Sequence, residues 1–89
     1  MATSQINKKE LFTLLVTQLS SSAWFQLGKT PNPFTGKAEK NLEAASITID
    51  ILETLLFKTT GNLTRQEDAL LSDKVRELKL SLIEEQQKG

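Results

Sequence analysis

Two interruptions decide what this chain can become. The first runs from Gly28 to Gly36 through Pro31 and Pro33, and the second centres on Gly61. Proline removes a backbone donor and glycine admits left-handed backbone, so regular helix ends at both places. The three stretches they separate each return apolar residues every three or four positions, the period of an α-helix with a side to bury. The expectation is an all-α fold of three amphipathic helices, about 8–27, 42–59 and 65–85, forming a helical hairpin or bundle. Eighty-nine residues hold one hydrophobic core, so 8–85 reads as a single domain. Residues 1–7 read as a disordered N-terminal tail and 86–89 as a frayed C-terminus.

Local signals support these limits. Asn7 and Asn41 are placed to cap the first and second helices, and Gly28 and Gly61 to end them. Thr64 and Glu67 have capping-box spacing, with Leu63 as a hydrophobic staple. The proline segment is long for a connection between helices, and Phe34 within it reads as an anchor onto the core.

At 100° per residue each helix shows a face to bury. In the first, Leu11, Phe12, Leu15, Leu19 and Ala23 form the central stripe, widened by Leu14, Val16, Phe25 and Leu27. Gln18, Ser22 and Gln26 fall inside that apolar arc. The simpler reading is a flank where the amides reach solvent. The sharper one is a helix contact in which Ser22 admits a close approach and the glutamines bond across. Trp24 falls on the polar side, to be covered either by the Pro31–Gly36 loop or by a partner.

The second helix is the most apolar, with Glu43, Ser46, Asp50 and Glu53 as one narrow polar line and Phe57 extending it. Such a helix needs two neighbours, or one neighbour and a second chain. The third carries two stripes. Leu71, Val75, Leu78 and Leu82 follow a four-three-four spacing of coiled-coil type, while Ala69, Leu80 and Ile83 line a different side. One stripe can face the core, which leaves the other for something else.

Composition removes several kinds of chemistry. With no cysteine and no histidine, the chain has no disulfide, no thiolate nucleophile and neither of the commonest metal ligands. Eleven basic residues balance eleven acidic ones, so no net field draws it to DNA or anionic lipid. The third helix, rich in acids, would also meet phosphates unfavourably, and no DNA partner is expected. The amino terminus lacks a secretory pattern, and cytoplasmic location is the default. Leu11–Gly28 is uncharged and close to membrane-spanning length, but glutamines and a serine run interrupt it, so no membrane partner is expected.

Candidate catalytic groups are sparse. Asp50 and Glu53 lie one turn apart but resemble an ordinary solvated pair. Ser20, Ser21 and Ser22 have no evident base, and nothing in the spacing brings Lys58 to them. The glycines from Gly28 to Gly36 lack phosphate-loop spacing. No catalytic residue, metal or cofactor is expected, and the chain reads as a non-enzyme.

The run Ile49-Asp50-Ile51-Leu52, then Lys58-Thr59, Gly61-Asn62-Leu63-Thr64 and Leu70-Leu71, together with Phe12, Ala23, Leu27-Gly28 and Pro33-Phe34-Thr35-Gly36, resembles the small bacterial proteins called domain of unknown function 1844. The resemblance spans about Phe12 to Glu84, with departures at Gln66 and Lys74-Val75. It implies a cytoplasmic helical protein and supplies no activity, substrate or catalytic residue.

The functional expectation therefore comes from surface. Excess apolar helix face points to a self-associating interaction module, a homodimer or higher homo-oligomer, with Trp24, Phe57, Ala69, Leu80 and Ile83 as candidate interface residues. The alternative is an adaptor subunit of a larger cytoplasmic assembly or of an RNA-associated complex, docking an unidentified protein partner through Trp24 and Phe57.

Overall fold

Helix α1 (Lys8–Gln26) ends where glycine lets the backbone turn left-handed, at Gly28 with φ of 82°. The Gly28 amide donates to the Phe25 carbonyl at 3.0 Å and the Lys29 amide to the Trp24 carbonyl at 3.0 Å, the paired bonds of a Schellman ending. The positive φ is what calls for glycine here. A Cβ at Gly28 would sit 3.4 Å from the Cβ of Lys40, whose stem lies against the turn. The computed structural model describes residues 8–88, so the Asn7 cap and the 1–7 tail lie outside the described residues.

Helix α2 (Leu42–Lys58) starts at Asn41, whose side-chain oxygen accepts the Ala44 amide at 3.0 Å. The second corner turns through Gly61, at φ of 88°. Helix α3 (Arg65–Lys88) then opens on the expected capping box: the Glu67 amide donates to the Thr64 hydroxyl at 3.1 Å, and the Thr64 amide to the Glu67 carboxylate at 2.9 Å. α3 runs three residues beyond its expected end at 85, through the stretch expected to fray. Glu85 is buried there and held by three lysines, one of them Lys88 on the following turn, and a cation in the last turn also suits the helix dipole.

The second helix sits between the other two and packs on both, whereas α1 and α3 touch each other less. With extents of 41 × 33 × 16 Å the molecule is a slab rather than a sphere. The apolar core is Val16, Ala23 and Leu27 of α1 and its C-terminal turn, Ala45, Ile49 and Leu52 of α2, and Leu71, Val75 and Leu78 of α3. The four-three-four seam of α3 is thus the inward one, and the Ala69–Leu80–Ile83 stripe faces solvent.

Three sequence expectations change. Leu11 and Leu15, placed at the centre of the first stripe, are 48% and 44% exposed, and the inward line is Val16, Ser20, Ala23 and Leu27. Apolar residues occupy both sides of α1, so periodicity did not single out one face. Trp24, assigned to the polar side, is half-buried against the core. Phe34 does not anchor the loop and is 93% exposed. Asn32 folds the loop onto itself instead: its side chain accepts the Phe34 amide at 2.8 Å and its backbone pairs with Gly36 and Lys37, which leaves the ring at the tip.

Candidate interaction surface

Polar chemistry in this fold is mostly spent on holding it together. The Ser20 hydroxyl is buried and donates to the Val16 carbonyl at 2.8 Å, back along its own helix. Asp50 is exposed, and Glu53 pairs with Lys79, tying the side of α2 to α3. Lys58 is exposed. Among the described residues no three acidic, histidine or cysteine side chains gather as a metal site would require. A shallow hollow of about 250 Å³ lies on α1, lined by Glu10, Thr13, Leu14 and Thr17. One helix makes all of its walls, which gives no enclosed, convergent set of groups for catalysis.

Two polar contacts escaped the sequence reading. The buried Thr48 hydroxyl donates to Gln26 Oε1 at 2.7 Å across the α1–α2 contact, with the Ala44 carbonyl 3.1 Å away. Gln26 therefore bonds across, the sharper of the two readings of the glutamine line, while Gln18 is exposed to solvent. The Gln26 carbonyl also accepts the Asn41 amide at 2.7 Å, closing the base of the proline loop.

The second is the carboxylate of Glu85, which accepts from Lys40 at 2.7 Å, Lys29 at 2.9 Å and Lys88 at 3.0 Å. These hydrogen bonds, from Lys40 first and then from Lys29 and Lys88, outweigh the effect of burial and hold its pKa at about 2, well below the usual carboxylate value. Lys29 is raised in turn, chiefly by its hydrogen bond to Glu85. The signal was present in the spacing: Leu71, Val75, Leu78 and Leu82 place the next inward position at residue 85. The cluster pins the proline loop to the end of α3. It is a fastening, with its donors and acceptor already paired to one another.

What remains unspent is apolar. Leu11, Leu14, Leu15, Phe34, Ile47, Ile51, Phe57, Leu80 and Ile83 are all more than 40% exposed, as many residues as make up the buried apolar core. Of the positions singled out in the sequence, Phe57 is 75%, Leu80 60% and Ile83 48% exposed, and Ala69 is exposed beside them in α3. Trp24 alone among them is taken up by the core. Sequence reading missed Leu11, Leu15, Ile47 and Ile51 as surface because it counted them toward the core. No helix of the described residues is long and apolar enough to cross a membrane.

The model of the domain of unknown function 1844 matches residues 9–84. The chain belongs to that family. No curated protein and no solved structure matches it. Membership brings no assigned chemistry, and the family's matched region ends one residue before Glu85.

Proposed function

We propose that this protein is a non-enzymatic helical interaction module that acts in the cytoplasm by associating with copies of itself, most simply as a dimer. One observation carries the reading: nine large apolar side chains lie exposed on a chain whose buried core is no more numerous. Isolated exposed apolar residues are ordinary, but here they recur one turn apart on a helix, as Leu11 with Leu15, Ile47 with Ile51 and Leu80 with Ile83. A short chain gains most from such an arrangement, because a second copy supplies the apolar burial that one copy is too small to provide.

Size-exclusion chromatography with light scattering, from nanomolar to high micromolar protein, tests this. The expected result is a mass that rises with concentration toward a multiple of 9.9 kDa. A folded chain that stays monomeric throughout overturns the proposal.

A further inference from the structure

The outward side of α1 has a pattern that the rest of the surface lacks. Leu11, Leu15, Gln18, Ser22 and Phe25 are spaced four-three-four-three, so they fall on one narrow line along the helix. Leu11, Leu15 and Gln18 are exposed, and Ser22 and Phe25 are half-buried. From Leu11 to Gly28 there is no charged residue, although a quarter of the chain is charged. A solvated helix face ordinarily carries interspersed charge, and a helix apolar on both sides is one that is covered on both sides. The inner side is covered by α2 and α3. On the outer side, none of the described residues buries Leu11, Leu15 or Gln18.

The order of residues along this line says what would cover it. Gln18 is its midpoint. An antiparallel copy of the same helix, related by a two-fold axis at Gln18, sets each Leu11 against the Phe25 of the other chain and each Leu15 over its small Ser21 and Ser22. Large residues then meet small or complementary ones, and the two Gln18 amides, each both donor and acceptor, meet at the axis. A two-fold interface brings each residue near its own symmetry mate or that mate's neighbours, so a charged face repels itself and an uncharged face does not. The outer face of α3 is less suited, because Leu80 lies among Asp73, Arg76 and Glu84, and a second copy would have to desolvate those charges.

We infer that a second copy of this chain docks on the outer face of α1, antiparallel and two-fold symmetric about Gln18. This rests on the self-association proposed above and names its surface.

The chain has no cysteine, so single-cysteine variants report on the axis directly. Gln18→Cys, mildly oxidised, should become a disulfide-linked dimer almost completely, whereas Leu80→Cys should remain unlinked. Linkage through Leu80→Cys with Gln18→Cys left free overturns this interface and leaves self-association standing. A wild-type chain monomeric by light scattering removes both. Gln18→Glu places two carboxylates face to face at an exposed position, so the fold should persist by circular dichroism. Its dimer should dissociate at least about tenfold more readily at pH 7, with the difference shrinking at pH 4 as the carboxylates protonate. An unchanged dissociation constant at pH 7 in the folded variant overturns the proposal.

Discussion

Helices α1 and α3 carry the same heptad arithmetic and use it in opposite directions. In α3 the seam from Leu71 through Val75, Leu78 and Leu82 to Glu85 points inward, and its outer side is charged. In α1 the corresponding seam from Leu11 to Phe25 points outward, and the inward line of Val16, Ser20, Ala23 and Leu27 is built from smaller residues beside a single leucine. The difference teaches that period alone identifies a line to bury, and that the charges opposite it identify which side meets water. α3 has such charges and α1 has none between Leu11 and Gly28.

The contrast is sharpest for two leucines. Leu78→Ala opens a cavity at a fully buried position and should cost about 2–5 kcal/mol, a large share of the roughly 5–15 kcal/mol that holds a domain folded. Leu15→Ala should change the stability of the dilute monomer by no more than about 0.5 kcal/mol. Denaturant titration at low protein concentration separates them, and equal losses would dissolve the distinction between inward and outward seams.

The inward seam of α3 ends on a charge, and acid should find it. The pKa of Glu85 is lowered on folding from 4.5 to about 2, so its contribution is complete above the unfolded value and disappears as pH falls from about 4.5 toward 2. Glu85→Gln should lower the melting temperature at pH 7 and flatten its decline across that acid window. A variant whose acid limb parallels the wild type would show that the three lysines stabilise nothing. A more modest loss belongs to the start of α3: Thr64→Ala removes the acceptor for the Glu67 amide and should cost about 1 kcal/mol, read as a shift in the urea midpoint.

Much of the architecture was legible because breakers and caps act locally. Gly28, Asn41, Gly61 and the Thr64–Glu67 pair each do in the structure what their neighbours along the chain imply. The inward seam of α3 was legible as one of two candidates. The face of α1 was not, since both its sides are apolar and only packing separates Val16 from Leu15. Phe34 was misread for a related reason. An aromatic ring in a loop reads as an anchor unless the Asn32 turn that carries it outward is seen. Gln26–Thr48 and Lys29–Glu85 join residues far apart in sequence, and no local rule pairs them. Excess apolar area was readable, and Leu80, Ile83 and Phe57, expected as candidate interface residues, are exposed, while the uncharged line on α1 went into the core count.

Glu85 gives the last turn of the chain a hold on its middle. A fragment trimmed to the family's matched span, 9–84, would keep all nine apolar core residues and every helix cap described above. It would also leave Lys29 and Lys40 converging on a carboxylate that is no longer there. The proline loop would then lose the ion pairs that pin it to the end of α3. Proteolysis near the C-terminus would be felt first at Gly28 and Asn41, at the opposite ends of a segment that the cut never touches.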